Sequence, residues 1–251
     1  MDLGVEGKVA LVTAATKGIG LAIAEALAAE GARVSVVART ASDVERIAES
    51  LHGFGVVADV TTLEGCAKSV EETAHNLGPV DILVNNYGAR AGSTWNDTGD
   101  DEFSAAFEGN VVVSLRMTKL VLPRMRERRW GRVVMISSLW GRESGGAPAY
   151  NAAKSAENSL VKSLAREVAP SGVTVNAVAP GSILWEGGGW HRRRQADPDG
   201  IADYVRREMP LGRFGTVEEV AGVVAFVCSM QASLVNGACI SVDGGQSRSN
   251  I

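Results

Sequence analysis

The sequence is poor in the residues that build disulfide and metal sites. Its three cysteines, Cys66, Cys228 and Cys239, lie far apart with no CxxC pair, and its three histidines are equally scattered. Because a disulfide scaffold needs several paired cysteines and a zinc site needs closely spaced ligands, the sequence predicts neither kind of site. We therefore expect reduced thiols in or near the core, no metal, and a cytoplasmic protein.

Long apolar runs and a strong charge imbalance are also missing. No apolar segment approaches the roughly 20 residues that a membrane-spanning helix needs. The first residues, MDLGVEGK, lack the basic and apolar regions of an export signal. The net charge is only -4 over 251 residues. We therefore expect neither a membrane nor a nucleic acid as a partner.

Short apolar segments of strand length alternate along the chain with longer segments of helical periodicity. The predicted strands are Val9–Thr13, Arg33–Ala38, Gly55–Ala58, Ile82–Asn85, Val133–Ser137, Thr174–Val178 and Ala238–Val242. The predicted helices are Ile19–Glu30, Ala41–Leu51, Leu63–Leu77, Glu102–Glu127, Ala149–Ala169 and Val217–Met230. This alternation predicts a single α/β domain over residues 1–251. Its fold would be doubly wound (Rossmann), with a mostly or wholly parallel seven-stranded sheet and helices on both faces.

The first turn between a strand and a helix is rich in glycine. It reads TAATKGIG, from Thr13 to Gly20. Gly18 and Gly20 would let the backbone approach a pyrophosphate at the amino end of a helix, where N–H groups favour anions. Ala14 replaces the first glycine of the usual dinucleotide fingerprint, so the strict GxGxxG pattern is absent. Two glycines that serve packing alone would give the same turn.

The strongest chemical signal lies between residues 138 and 154. Ser138 follows a β-branched strand, and Tyr150 and Lys154 lie one turn apart on the same face of the next helix. An ammonium beside a phenol, whose pKa is ordinarily about 10, favours the phenolate and makes the phenol usable as an acid or base near neutral pH. The serine could bind the oxygen that the phenol protonates. An ordinary surface Tyr and Lys would show the same spacing.

Taken in order, these stretches resemble the short-chain dehydrogenase/reductase family, and the resemblance covers nearly the whole chain. TAATKGIG matches the family's TGxxxGIG except at Ala14, NNYG matches NNAG, and YNAAK matches YxxxK. ADV, EGNVVVS, ISSLWG, Pro180–Gly181, PLGRFGTVEEVA and VDGG follow in the family's order. The resemblance implies an oxidoreductase that transfers a hydride between a nicotinamide cofactor and a carbonyl or secondary alcohol of a small molecule.

The resemblance also implies a role for each site residue. Tyr150 would protonate the carbonyl oxygen in reduction, and Ser138 would hydrogen-bond the same oxygen. Lys154 would act on Tyr150 and bind the nicotinamide ribose, and Asn110 would hold a water that leads to solvent. The implied cofactor site comprises Thr13, Lys17, Gly18, Ile19, Gly20, Arg39, Asp59, Val60, Asn86, Gly88, Tyr150, Lys154, Pro180, Gly181 and Ile183.

Charge at the end of the second strand favours NADP(H), although NAD(H) stays possible. Members of this fold that prefer NAD place a carboxylate there for the adenosine ribose. Here Ala38 occupies that position and Arg39 follows. Arg39, with Lys17 from the glycine-rich turn, can bind a 2′-phosphate. The alternative is that both are ordinary surface cations.

The segment SILWEGGGWHRRR departs most from the family pattern, with Trp185 about where the family carries a threonine. We predict a substrate lid at about residues 182–209, hinged at Gly187–Gly189. A basic run, His191 to Arg194, could attract a carboxylate, phosphate or phosphopantetheine group, or could simply be solvated. The predicted substrate-binding residues are Ser138, Trp140, Tyr150, Trp185 and Trp190.

Three functions fit these patterns. The first is an NADP(H)-dependent oxidoreductase of a free small molecule, and the second is a 3-oxoacyl-ACP or 3-oxoacyl-CoA reductase. The third is a nucleotide-binding or structural protein without catalysis, which the intact set of Asn110, Ser138, Tyr150 and Lys154 argues against. Similar proteins pair the helices predicted at Glu102–Glu127 and Ala149–Ala169 across a two-fold axis. We therefore expect a homo-oligomer, a tetramer or else a dimer.

Overall fold

The computed structural model describes residues 2–250, so Met1 and Ile251, at the two ends of the predicted domain, lie outside the described residues. Seven strands form one sheet in the order β3-β2-β1-β4-β5-β6-β7. Every neighbouring pair is parallel, which confirms the predicted sheet. The strands are β1 (Val9–Thr13), β2 (Arg33–Ala38), β3 (Phe54–Val57), β4 (Ile82–Asn85), β5 (Gly131–Ile136), β6 (Val173–Pro180) and β7 (Cys239–Val242).

Helices cover both faces of this sheet. None of those in residues 2–250 is both long enough and apolar enough to cross a bilayer. The helices are α1 (Gly18–Ala29), α2 (Ala41–Ser50), α3 (Leu63–Leu77), α4 (Asp100–Phe107), α5 (Val113–Glu127), α6 (Pro148–Val168), α7 (Gly189–Ala196), α8 (Pro198–Glu208) and α9 (Val217–Val227).

The central strands are buried on both sides, as a parallel sheet requires. Every residue of β1, β5 and β6 is buried. Because successive side chains of a strand point to opposite faces, Val12 belongs to the same buried cluster as Ile23 of α1. Its neighbour Leu11 belongs to the cluster of Met117 on α5, across the sheet. These two apolar layers hold the strand ends in fixed register.

The direction of winding changes at β1. The chain proceeds outward from β1 through β2 to β3, and then crosses to β4 on the other side of β1. A crevice forms where two neighbouring strands send their connections to opposite sides of a sheet. The carboxyl ends of β1 and β4 therefore bound the ligand site of this fold.

The prediction of one continuous helix over Glu102–Glu127 is wrong in its continuity. A π-helical turn over Glu108–Val112 separates α4 from α5. Gly109 in this turn touches the loop after β4 so closely that an added Cβ would lie 2.5 Å from the Cβ of Ala89. Such a turn inserts one extra residue into a helix, and apolar periodicity over 26 positions does not reveal it.

The segment after β6 also differs from the sequence pattern, which predicted no helix between residues 182 and 209. It contains α7 and α8. Pro198 stands at the first position of α8, and the carboxylate of Asp197 accepts a hydrogen bond from the Gly200 N–H at 2.9 Å. A side-chain cap followed by proline is a strong helix start. Gly189, the end of the predicted hinge, is the first residue of α7.

The first turn between β1 and α1 contains a strained alanine. Ala14 has φ of 52°, in the left-handed region, and Gly18 has φ of 58°. Gly20 packs so tightly that an added Cβ would lie 2.5 Å from the Ala14 carbonyl oxygen. The turn therefore needs glycine at position 20, and it holds an L-residue at position 14 in a conformation that favours glycine.

We predict that Ala14→Gly stabilises the protein. The left-handed conformation costs an alanine about 1–2 kcal/mol, and glycine's larger entropy loss on folding offsets up to about 1 kcal/mol of that gain. Thermal unfolding followed by circular dichroism should show Tm rising by about 1–4 °C. Ala15→Gly is the control, because Ala15 is buried without a positive φ and its variant should unfold at a lower temperature. An unchanged or lower Tm for Ala14→Gly would contradict the prediction.

Candidate active site

The carboxyl ends of the strands open into one cleft of about 610 Å³. The turn after β1, the ends of β2, β4, β5 and β6, and parts of α6 and α7 line it. The structure thus brings together residues that are spread over most of the chain. The predicted site residues that line the cleft are Lys17, Gly18, Ile19, Gly20, Arg39, Asp59, Val60, Asn86, Gly88, Ser138, Tyr150, Lys154, Pro180, Gly181, Ile183, Trp185 and Trp190.

Tyr150 and Lys154 lie in the first two turns of α6. Pro148 at the first helical position fixes where this helix begins, and four residues of spacing then place both side chains on one face. The ammonium of Lys154 lies 5.8 Å from the centroid of the Tyr150 ring. It also donates a hydrogen bond to the Ile136 carbonyl oxygen of β5 at 2.8 Å. Strand and helix together therefore fix the lysine beside the phenol.

Ser138 lies two residues beyond the end of β5 and is buried. Its hydroxyl oxygen accepts a hydrogen bond from the Trp140 N–H at 3.2 Å, which closes a short 3₁₀ turn. The hydroxyl hydrogen stays available for an oxygen in the cleft. Ser138 can therefore donate to the same kind of acceptor that Tyr150 can protonate.

A buried carboxylate that the sequence pattern did not predict joins this group. Glu157 lies on α6 with its Oε2 2.7 Å from the Lys154 Nζ, and the two side chains are only 0% and 3% exposed. The Ser114 hydroxyl of α5 lies 3.1 Å from Oε1. The signal was present in the sequence: position 157 is seven residues after Tyr150 and three after Lys154, on the buried face of the helix.

Burial and charge oppose each other in this pair. Burial acts to lower the pKa of Lys154, but attraction to Glu157 and then to Tyr150 outweighs it, so the net direction is upward. For Glu157, burial raises the pKa above the ordinary range of a carboxyl, and the ammonium and the Ser114 hydroxyl oppose that rise. Lys154 is therefore held as an ammonium ion deep beside the cleft.

Three predicted site residues do not line the cleft. Asn110 is buried in the π-helical turn, where its amide donates to the Ala89 and Ala106 carbonyl oxygens, each at 2.7 Å. Thr13 is buried too, and its hydroxyl oxygen accepts the Asn86 N–H at 2.9 Å. Trp140 packs its ring against the glycines of the loop before α6. In this structure all three side chains hold the loops around the cleft.

The turn after β1 has the features expected of an anion site. Lys17 precedes α1, whose first N–H groups open toward the cleft at Gly18. The Asn86 amide donates to the Ala14 carbonyl oxygen at 3.2 Å and so ties the end of β4 to this turn. Trp185 lies directly on the turn, because a Cβ added to Gly18 would stand 2.9 Å from its ring. A tryptophan thus covers the turn that is suited to bind a phosphate.

The end of β2 carries a loosely held cation. Arg39 lies 4.0 Å from an oxygen of Asp59, and the two side chains are 72% and 41% exposed. Hydrogen bonds from the backbone and then the side chain of Thr61 lower the pKa of Asp59, with Arg39 a smaller cause. Because Asp59 is already bound by Thr61, its hold on Arg39 is weak. Arg39 and the exposed Lys17 are both free to face an anion.

The opposite end of the cleft is aromatic and basic. Trp190 stacks on Tyr204 with ring centroids 4.6 Å apart and contacts Phe214 at 5.2 Å, which fixes α7 to α8. The guanidinium of Arg90 lies over the Tyr150 ring at 5.2 Å. Arg90 and two arginines of α7 line the cleft here. The sequence analysis did not predict Arg90 as a site residue. The only signal for it was that it follows the NNYG motif by two residues.

The C-terminal tail fastens the segment that follows β6. The Gln246 amide oxygen accepts the Ser182 N–H at 2.8 Å, and its nitrogen donates to the Tyr204 hydroxyl at 2.7 Å. Gln246 is buried. One side chain therefore joins the start of the predicted lid to α8.

The groups around the cleft define its chemistry. Within residues 2–250, no three His, Cys, Asp or Glu side chains are grouped as a metal site requires. The cleft instead combines an anion-binding turn, a phenol with an ammonium beside it, and a buried hydroxyl. Such an arrangement can bind a phosphate-bearing cofactor and move a proton to or from a substrate oxygen.

Comparisons with known proteins agree with this geometry and with the resemblance seen in the sequence. Residues 13–247 match a family model described as enoyl-(acyl carrier protein) reductase. The 3-oxoacyl-(acyl-carrier-protein) reductase FabG of Escherichia coli is 38% identical over 243 residues, 96% of this chain and 97% of the relative. Acetoacetyl-CoA reductase of Shinella zoogloeoides is 34% identical over 95% of this chain and 98% of its own length.

A solved structure gives the same result for the fold. L-sorbose reductase from Gluconobacter frateurii, in complex with NADPH and L-sorbose, superposes with a TM-score of 0.93 at 33% identity. The match covers 99% of this chain and 100% of that one. Matches over nearly the whole chain at such identities agree with the order of motifs along the chain. The chain belongs to the short-chain dehydrogenase/reductase family and is an oxidoreductase that acts on CH–OH or carbonyl groups.

Proposed function

We propose that the protein is an NADP(H)-dependent oxidoreductase that interconverts a carbonyl and a secondary alcohol of a small molecule, with Tyr150 as the acid or base. The observation that carries this proposal is the shared cleft. Ser138, Tyr150 and Lys154 line it together with the glycine-rich turn and Arg39. One cavity therefore has room and chemistry for both a phosphate-bearing cofactor and a carbonyl compound.

The cleft residues fit such a cofactor. The turn at Gly18 would hold the diphosphate on the N–H groups of α1, and Arg39 with Lys17 would hold a 2′-phosphate. Lys154, which is hydrogen-bonded to Ile136 and ion-paired with Glu157, would use its remaining N–H capacity for the ribose hydroxyls. When bound, the reduced nicotinamide supplies the hydride that the carbonyl carbon accepts.

The protein's own residues complete the reaction. Ser138 donates a hydrogen bond to the carbonyl oxygen, which orients the substrate and stabilises charge on that oxygen. Tyr150 transfers its hydroxyl proton to the same oxygen as the alcohol forms, and in oxidation it accepts that proton. Lys154 stabilises the phenolate that Tyr150 leaves behind. Asn110 keeps the loop after β4 in place, and it would hold a water that connects Lys154 to solvent and so renews the proton.

The segment from about 182 to 209 forms the substrate lid in this proposal. Trp185 and Trp190 face the cleft from it, and Trp140 supports the loop before α6 on the other side. Trp185 lies on Gly18, where the diphosphate would bind, so it has to shift when the cofactor enters. Two large rings around a phenol favour an apolar or ring-bearing substrate.

A 3-oxoacyl thioester of acyl carrier protein or coenzyme A is the second candidate substrate. FabG and acetoacetyl-CoA reductase carry such activities in their names, and Arg192 and Arg193 line the open end of the cleft, where a phosphopantetheine chain would arrive. A panel of acetoacetyl-CoA, a phosphate-free acetoacetyl thioester and simple ketones, followed by loss of NADPH absorbance, decides between the two. Preference for the phosphate-bearing thioester selects the second candidate.

We expect Tyr150→Phe to lower kcat about 10²-fold or more, because the variant keeps the ring and loses the proton that is transferred. Turnover is measured with NADPH and the best carbonyl compound of the panel. Two controls show that only chemistry has changed: the Tm and the NADPH dissociation constant should match those of the wild type. Retained turnover in this variant would refute the assignment of the acid.

We expect Arg39→Ala to weaken NADPH binding about 10- to 100-fold while NADH binding changes little, since a charge-assisted contact to the 2′-phosphate contributes roughly 1.5–3 kcal/mol. Calorimetric titration with each cofactor measures both effects, and added salt should reduce the preference. Ala38→Asp combined with Arg39→Ser should reverse the preference.

Arg124→Ala is the matched control for this titration, because Arg124 is an exposed arginine of α5 that pairs with Glu127, and neither residue lines the cleft. It should leave both affinities unchanged. An equal loss of NADPH and NADH affinity in Arg39→Ala would mean that Arg39 stacks on the adenine and does not bind the phosphate.

We propose a cytoplasmic homo-oligomer, with the tetramer as the expected form. Phe107 and Leu120 of α4 and α5 are 37% and 41% exposed, and Leu234 near the start of β7 is 96% exposed. Two separate apolar surfaces suit two two-fold interfaces. Light scattering at micromolar concentration should give about four times the chain mass of 26.3 kDa. Leu120→Glu should lower that mass, whereas Leu63→Glu on α3 should not; a monomeric wild type contradicts the proposal.

A further inference from the structure

Glu157 is the one carboxylate of the described chain that touches Lys154. Its Oε2 lies 2.7 Å from the ammonium, its Oε1 accepts from Ser114 at 3.1 Å, and the side chain is fully buried. Burying an ionised carboxylate is costly unless it is paired and hydrogen-bonded. A leucine would fill the same space on α6 without that cost. A carboxylate held in this way serves a purpose other than packing.

Lys154 is already engaged on two sides before any cofactor arrives. Its ammonium donates a hydrogen bond to the Ile136 carbonyl oxygen and forms an ion pair with Glu157. The open side faces Gly88 on the cleft, where an added Cβ would stand 3.5 Å from Nζ. Burial favours the uncharged form of an amine, so a neutral carbonyl alone does not keep a fully buried amine protonated. The negative charge of Glu157 keeps Lys154 protonated.

We propose that Glu157 is a positioning residue that keeps Lys154 charged and aimed at the cofactor's ribose. This inference rests on the proposed function, which places the ribose at Lys154. It adds one more side chain, on the same face of α6 as Tyr150 and Lys154, to the set that prepares the site.

Few other charges reach this pair. Arg90 faces Lys154 from the loop after β4 and opposes its charge. Cys239 of β7 faces Glu157, but burial raises the pKa of its thiol, which keeps it neutral, with Arg142 opposing that rise. As long as Tyr150 is protonated, Glu157 is therefore the only one of these groups that places a negative charge beside Lys154.

The sign of the pH effect follows from the pair. The pKa of Lys154 is raised in the folded protein, so the ammonium persists as the pH rises toward that value. Without the carboxylate, burial acts unopposed and the lysine releases its proton at a lower pH. The loss of charge weakens binding of an anionic cofactor at alkaline pH. A purely structural role would weaken binding by the same factor at every pH.

The test is calorimetric titration without substrate, using NADPH, or NADH if the wild type binds that cofactor instead. For each variant the dissociation constant at about pH 10 is divided by that at about pH 7, which spans the range in which a buried lysine titrates. We expect this ratio in Glu157→Gln to exceed the wild-type ratio by about 10-fold. Glu157→Asp, which keeps the charge at a longer distance, should give an intermediate ratio.

Glu167→Gln is the matched control, since Glu167 lies exposed on the same helix and pairs with Arg126 at the surface. Its ratio should equal that of the wild type. Equal ratios in Glu157→Gln and the wild type overturn the inference. If circular dichroism shows Glu157→Gln unfolded, the Asp variant decides, because an unchanged ratio there also overturns it.

Binding without turnover separates this inference from the proposed reaction. Retained activity in Tyr150→Phe refutes the proposed role of Tyr150 in the reaction. The ratio of dissociation constants at the two pH values still tests the role of Glu157 independently. An inactive Tyr150→Phe with equal ratios in the Glu157 variants refutes only the role of Glu157.

Discussion

The parallel sheet is the constraint on which the site depends. Strands β1, β5 and β6 are buried over their full length, so their backbones can present polar groups only where they end. All seven strands run in one direction, and all their carboxyl ends therefore meet at one edge. The crossing from β3 to β4 opens that edge into a crevice beside β1. The glycine-rich turn and Ser138 occupy this edge for that reason.

The buried pair of Lys154 and Glu157 sets the electrostatics of the crevice. Taking an ammonium out of water disfavours its charge, and the carboxylate 2.7 Å away restores it. At a distance the opposite charges of the pair largely cancel, and Tyr150 lies on the same helix face with its ring centroid 5.8 Å from the ammonium. Ser114 from α5 donates a hydrogen bond to the other oxygen of this carboxylate, so α5 and α6 both contribute to the environment of one lysine.

The two ends of the cleft differ in chemistry. At the end of β2, the exposed Arg39 lies beside a carboxylate that is already bound by its own turn, and this arrangement leaves positive charge for an anion. At the other end, Trp190 packs into an aromatic group with Tyr204 and Phe214, and Arg90 covers the Tyr150 ring. Gln246 from the tail joins Ser182, just after β6, to Tyr204 of α8. One end suits a charged cofactor and the other an organic substrate.

The sequence by itself determined the alternation of strands and helices, the glycine-rich turn and the pairing of Tyr150 with Lys154, because each depends on residues within a few positions of one another. Only the tertiary structure decided the π-helical turn at Glu108–Val112, the placement of Trp185 on Gly18 and the contact of Ser114 with Glu157. That last contact joins residues 43 positions apart. Helical periodicity marks position 157 as buried, but whether a buried carboxylate meets a cation is decided by which helices pack together.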